Sequence, residues 1–338
     1  MTNLAAAKLF ISIAIALILA FFTALSIDKV KENNDMLAYS FHYECLGSNF
    51  ASISACQNKI GSPPDFLYQV LAYSSKFVFG KNGFEWFILF FSFFVYFVIL
   101  HVSAKYSPYY VIAVLFMLTD FRFYELGNNV LRNGLALVVF MLIFHFYMRY
   151  SLKRSFLLNF LPVSTHITAL AFVPIASNRL TLLLYPLGIV VAVFLGLYFQ
   201  LILNFIYEYL PLTVQHKIDA YQMINDEEGR VSFSLPMHYL LIFIAGLYFL
   251  FKSRSGLFFL CFNIIYFLFL FSIIFDQFGV GYRFLNYAVP FVALLVAYYL
   301  FEIKKNFGFV LFVTSYFFAV LFFLIQFSRN FDFIFRGL

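Results

Sequence analysis

Apolar runs long enough to cross a bilayer recur along this chain, and nothing else narrows its possible folds as much. About 20 apolar residues in helical form cover the ~30 Å of a hydrocarbon core. Such runs fall at Leu9–Leu25, Phe84–His101, Asn129–Met148, Leu180–Ile206, Gly256–Phe275, Phe284–Phe301 and Phe307–Phe327, with shorter ones at Tyr109–Leu118 and Met237–Phe251. Lipid offers no water to backbone amides, so contiguous apolar spans of this kind must be helical. The pattern predicts an all-α polytopic membrane protein, built as a single integral membrane domain over residues 1–338. A composition 64% hydrophobic and 11% charged, with mean hydropathy +0.90, excludes a soluble domain. The net charge of +6 is dispersed between the spans and points to no nucleic-acid partner.

The segments between the runs decide the topology. Only Lys8 precedes the first run and no small-x-small pattern closes it, so it reads as a retained first span. Two long polar loops follow, over residues 28–65 and 208–234, the second rich in acid at Asp219, Asp226, Glu227 and Glu228. Phe66–Phe79 is apolar but short, which fits an interfacial or partly buried helix. Phe156–Ser177 is long enough to cross, yet Pro162, Ser164, Thr165 and His166 interrupt it. If it crossed, Lys252, Arg254, Lys304 and Lys305 would lie outside. If it turns back, every short basic loop becomes cytoplasmic, as the bias of Lys and Arg requires. The sequence thus predicts about nine transmembrane helices plus a broken re-entrant hairpin carrying His166, with both long loops extracytoplasmic. Cys45 and Cys56, outside on this topology, suit a disulfide, and Cys261 sits within a span.

This topology gathers Asp35, Asp65, Asp120, Arg122, Glu125, Arg132 and Arg283 on one membrane face, with His166 reaching toward them. Ionisable groups at membrane depth are costly and point to function, although an arginine there can also snorkel to headgroups. Guanidinium forks bind phosphate oxygens bidentately and stay charged at physiological pH. Neighbouring carboxylates suit a general base toward a sugar hydroxyl. Arg122 fits either that cavity or a plain ion pair with Asp120 or Glu125. Asp65, one residue before an apolar run, reads as a helix cap, and His42, His101, His145 and His238 read as structural. No CxxC pair, HExxH or other metal spacing is present, and no cofactor is expected.

These residues resemble the EpsG-like branch of the Wzy-type O-antigen and exopolysaccharide polymerases. The resemblance rests on Asn129, Arg132 and Gly134, then the basic loop of Arg149, Lys153 and Arg154, then His166-Ile167-Thr168-Ala169-Leu170. Asp35 with Tyr39, Asp65-Phe66-Leu67-Tyr68, and Tyr282, Arg283 and Tyr287 extend it from about residue 28 to 299. Asn34 and Asp65 stand where that family usually has Gly and Glu. The resemblance implies a membrane glycosyltransferase C-like core in the bacterial inner membrane. Its active site would face the periplasm and join undecaprenyl-pyrophosphate-linked repeat units, donor to acceptor, without metal. The chemistry of these residues on that face then assigns catalytic roles to His166 and Asp35 and substrate binding to Arg132, Arg283, Arg122, Tyr282, Asn129 and Tyr39. Membrane lipids and a chain-length regulator protein are the further partners the resemblance implies. A lipid-linked saccharide ligase would use the same donor but usually a larger late periplasmic loop than 208–234. A flippase or transporter would tend to show an internal repeat, and none is visible in the sequence.

Overall fold

The computed structural model describes residues 3–26, 34–47, 52, 53, 56, 66–81, 83–150, 157–175, 184–209, 215, 219, 237–250, 255–276 and 280–335. The described residues form twelve α-helices and short 3-10 segments, with no strand among them. In chain order the helices are α1 Asn3–Leu25, α2 Asn34–Cys45, α3 Phe66–Phe79, α4 Phe84–Tyr106, α5 Tyr110–Thr119 and α6 Phe121–Asn128. They continue as α7 Leu131–Tyr150, α8 Leu184–Ile206, α9 Met237–Leu250, α10 Gly256–Ile274, α11 Gly281–Phe307 and α12 Phe309–Phe335. Six are long and apolar enough to cross a membrane: α1, α4, α7, α8, α10 and α11. The other three expected spans are apolar over shorter stretches, Tyr110–Thr119, Tyr239–Tyr248 and Leu311–Phe322.

Two elements depart from the sequence expectation. Part of the polar loop 28–65 is the helix α2, and the polar cluster after the third apolar run is the helix α6. Neither shows an apolar run, so hydropathy hides both. Asp65, Lys153, Arg154 and most of the loop 208–234 lie outside the described residues.

Helix α11 organises the bundle. It packs against α4, α5, α6, α7, α9, α10 and α12 and against a 3-10 segment, Ile167–Phe172. Its middle turns, Ala288, Val289, Phe291, Val292, Ala293, Leu294, Leu295 and Ala297, are apolar all round and fully buried, the pattern of a helix with no polar face to spare. Pro290 sits inside it and lacks the amide that would bond the carbonyl of Asn286, which opens one rung of the ladder. At 27 residues α11 runs about 40 Å, so its two ends belong to opposite ends of the bundle.

The expected broken segment is short 3-10 helix. Leu158–Ser164 and Ile167–Phe172 are joined through Thr165 and an extended His166 (φ −165°, ψ 136°). At about 2 Å per residue, neither reaches across ~30 Å of hydrocarbon. Pro162, whose ring cannot continue an α-helix, and the extended His166 account for the break.

Basic residues collect at one end. Lys8 of α1 donates to the Ala104 carbonyl at 2.8 Å, fixing α1 antiparallel to α4 beside Lys105. Tyr106 lies 2.8 Å from His145 Nδ1 near Arg149 on α7, and Lys304 at the far end of α11 rests on the Phe312 ring.

At the other end α6 turns sharply into α7. Asp120 caps α6 by accepting from the Arg122 amide at 3.0 Å. From α4, Tyr96 donates to the Tyr124 carbonyl at 2.9 Å and Ser92 to that of Gly127 at 2.5 Å. The turn needs glycine at 134, because a Cβ there would collide with the Leu126 carbonyl oxygen and stand 3.2 Å from Val95 Cγ1. Gly134→Ala should therefore displace α7 from α6 and, with it, Arg132. The check is folded, monodisperse protein recovered in detergent, with at least a several-fold loss expected relative to wild type.

Candidate functional site

One face of α2 carries the first half of the site. Asp35, Tyr39 and His42 are spaced i, i+4 and i+7, which aligns them on a helix. Asp35 Oδ2 pairs with Arg283 Nη2 at 3.5 Å. Arg132 Nε donates to the Tyr39 hydroxyl at 3.4 Å, with its guanidinium 5.7 Å from that ring's centre. A single short helix thus bridges two arginines 151 positions apart in sequence, at the openings of α7 and α11. Burial raises the Tyr39 phenol above its ordinary value; Arg132 and Arg283 pull it down and Asp35 pushes it up, so all three charges act on one hydroxyl.

α2 is anchored at its far end. Lys76 of α3 donates to the carbonyls of Tyr43 and Glu44 at 2.7 and 2.8 Å, a cation on the unsatisfied end of the helix. Cys45 and Cys56 are bridged, with Cα atoms 5.6 Å apart, as their expected placement in one external loop implied. Cys261 is free and buried.

α6 and α11 supply the second half. Asn286, three residues after Arg283 and so on the same face of α11, donates from Nδ2 to Glu125 Oε2 at 3.0 Å. Arg283 Nε also donates to the hydroxyl of the adjacent Tyr282 at 3.3 Å, and Tyr282 is the exposed member of this group. Gly281, at the opening of α11, lies so close to α10 that a Cβ would stand 2.6 Å from the Ser272 carbonyl oxygen, which fixes where Arg283 emerges. Arg122 and Asp120 form a separate buried pair at 3.5 Å. Asp120 Oδ2 also accepts from the Tyr239 hydroxyl, and the Arg122 guanidinium lies 4.4 Å from the Phe121 ring centre. The ion pair expected for Arg122 forms with Asp120 rather than with Glu125.

His166 enters through its segment. Two residues on, the Thr168 hydroxyl is 2.7 Å from that of Tyr287, one turn of α11 beyond Arg283. Phe172 stacks on Phe140 of α7 at 3.8 Å and lies 5.0 Å from the Tyr287 ring. The 3-10 hairpin is thereby wedged between the two helices that carry Arg132 and Arg283, and His166 itself is buried. Asn129, at the C-cap of α6, is partly buried with an Oδ1 that has no hydrogen-bond partner among the described residues.

His42, read from the sequence as structural, shares the face of α2 with Asp35, and Glu125 is one of the acidic residues expected at this end. His42 is buried, and neither ring nitrogen has a hydrogen-bond partner among the described residues. Its ring lies 5.9 Å from that of Tyr68, whose hydroxyl is likewise unpartnered. The helical register with Asp35 was the available signal, but it requires knowing that the loop is a helix. Burial, then the charges of Arg132 and Lys76, hold the His42 imidazole down at about 4. A histidine that binds its proton more weakly when folded contributes stability above its unfolded value, and that contribution is lost as pH falls from about 6.5 toward 4. Melting temperatures of detergent-purified protein should therefore drop between pH 7 and pH 5. His42→Phe should shrink that drop; an unchanged drop would place the acid sensitivity elsewhere.

The fold and this end of it define a polytopic α-helical membrane protein with an arginine-, carboxylate- and tyrosine-lined site at one end of the bundle. The model of the EpsG family matches residues 9–335, and the chain belongs to that family. The family is associated with glycosyl polymerase activity in polysaccharide biosynthesis. No curated protein and no solved structure matches the chain.

Proposed function

We propose that this protein polymerises oligosaccharide repeat units carried on undecaprenyl pyrophosphate, at the outer face of a bacterial inner membrane. The observation that carries the reading is the convergence of Arg132 and Arg283, which α2 holds at one end of the bundle through Tyr39 and Asp35. Two guanidinium forks at the membrane boundary suit a lipid-linked pyrophosphate, whose oxygens they bind bidentately. As the anomeric bond breaks, charge builds on that leaving group and the preorganised cations stabilise it. Tyr39, Tyr282 and Asn129 line the approach, and Arg122, though paired with Asp120, keeps an Nε without a hydrogen-bond partner among the described residues. His166 belongs to the donor side, where an imidazole can bond a phosphate oxygen or relay a proton. Asp35 keeps Arg283 neutralised until the donor arrives.

The chain's course supports the orientation. Between the openings of α7 and α11 lie four helices, α7, α8, α9 and α10, an even number of passes. Both openings then reach one end only if the 3-10 pair makes no net crossing. The opposite end holds Lys8, Lys105, Arg149, Lys304 and Lys305, the basic excess of a cytoplasmic face. A membrane-impermeant thiol reagent applied to intact cells should therefore label Asn225→Cys and not Ser177→Cys. Labelling of Ser177→Cys instead would overturn the re-entrant topology.

The functional test is polymer length on a gel beside the lipid-linked single unit, at matched protein levels. Arg132→Ala and Arg283→Ala should each lower polymerisation about 10²–10³-fold, with single units accumulating. Arg132→Lys keeps the charge but loses the fork, and should also fall well below wild type. Full-length polymer from both alanine variants would rule the clamp out.

A further inference from the structure

Three carboxylates face this end of the bundle, and the structure treats them differently. Asp35 is paired with Arg283 and Asp120 with Arg122, each at 3.5 Å. Asp120 is spent further on the α6 cap and on the Tyr239 hydroxyl. Glu125 alone of the three makes no ion pair among the described residues. Its one hydrogen bond is from the neutral amide of Asn286 to Oε2, at 3.0 Å, which leaves Oε1 without a hydrogen-bond partner among the described residues. It is partly rather than fully buried, so it remains reachable. Its position is set relative to the clamp, because Asn286 stands one turn from Arg283 on the same face of α11.

We infer that Glu125 is the general base of the reaction, taking the proton of the acceptor sugar's hydroxyl as that oxygen attacks the anomeric carbon of the donor. This rests on the polymerase reading above. In the step the acceptor oxygen–C1 bond forms and the bond from C1 to the pyrophosphate oxygen breaks. The leaving pyrophosphate keeps the electron pair against Arg132 and Arg283, and the hydroxyl proton passes to a Glu125 carboxylate oxygen and then to water. No further reactant is needed.

The electrostatic setting agrees. Burial pushes the Glu125 carboxyl up to about 7, with Asp120 adding to the rise, while Asn286, Arg122 and Arg283 restrain it. Tyr282 is the further titratable group facing it from α11. On the α4 and α9 sides, Tyr96 and Tyr239 are occupied by the Tyr124 carbonyl and by Asp120. A base acts best when its affinity for protons matches the working pH, and a glutamate near 7 meets that condition.

The test uses full-length protein in proteoliposomes with undecaprenyl-pyrophosphate-linked repeat units extracted from cells blocked in polymerisation. Wild-type rate should fall about tenfold per pH unit below a break near pH 7, since the active form is the ionised one. Glu125→Gln keeps the acceptor for Asn286 and the shape, but cannot take the proton. It should lose about 10²–10⁴-fold in rate, lack the acid limb, and bind undecaprenyl pyrophosphate as wild type does. Asn286→Ala removes a group that restrains the Glu125 proton, so its limb should move to higher pH with the plateau largely kept. This second variant carries the test if Glu125→Gln fails to fold. A Glu125→Gln variant that polymerises at the wild-type rate, or an acid limb unmoved by Asn286→Ala, would overturn the assignment. A wild-type protein that binds but never joins these units would instead sink the polymerase reading itself.

Discussion

The site exists because buried and half-buried arginines in an apolar bundle must be answered by partners of opposite or polar character. A guanidinium stripped of water and left alone is among the costliest groups a membrane protein can hold. Arg132 and Arg283 are answered by one short amphiphilic helix, α2, which offers Tyr39 to the first and Asp35 to the second. Much else follows from that pairing. α11 must open where Asp35 can reach it, so Gly281 lets its first turn press against α10. α7 must open beside Tyr39, so Gly134 lets its first turn press against α6. The arginines fix the ends of the helices, and the glycines make those ends sterically possible.

Polar chemistry at this end is divided between a sealed part and an open part. Asp120, Arg122 and Tyr239 satisfy one another in the interior and tie α6 to α9. Glu125 and Asp35 are only partly buried and Tyr282 is exposed; these are more loosely paired, and Glu125 has hydrogen-bonding capacity left over. Residues three positions apart, such as Arg122 and Glu125, thus do different work. The sealed pair carries structure, and the open group has atoms that a second molecule can meet.

Much of the fold was legible in the sequence because lipid imposes one rule on every spanning residue. The apolar runs located α1, α4, α7, α8, α10 and α11, with ends up to about six residues off, and the short run at Phe66–Phe79 is the helix α3. Pro162 and His166 announced a break that is there as short 3-10 helix. What the sequence concealed lies outside that rule. α2, with the sequence NDMLAYSFHYEC, has no apolar run, and its signal is a register of Asp35, Tyr39 and His42 that matters only once the segment is helical. Arg132 and Arg283 were visible as isolated charges, and their shared dependence on α2 was not. Which carboxylate stays unpaired depends on how α6 meets α11 in space, and no local pattern around Glu125 encodes it.

The anchoring of α2 has a consequence for how anions are exchanged. Lys76 and the Cys45–Cys56 bridge hold the C-terminal end of the helix, while Asp35 touches Arg283 from its first turn. Arg283 therefore behaves like a fixed site on an ion-exchange resin, supplied with a tethered counter-ion. On the proposed function, an anion binding there would displace a carboxylate that cannot diffuse away and that would return once the anion left. The resting protein also avoids holding a bare cation at the membrane boundary, where any passing phospholipid headgroup would occupy it.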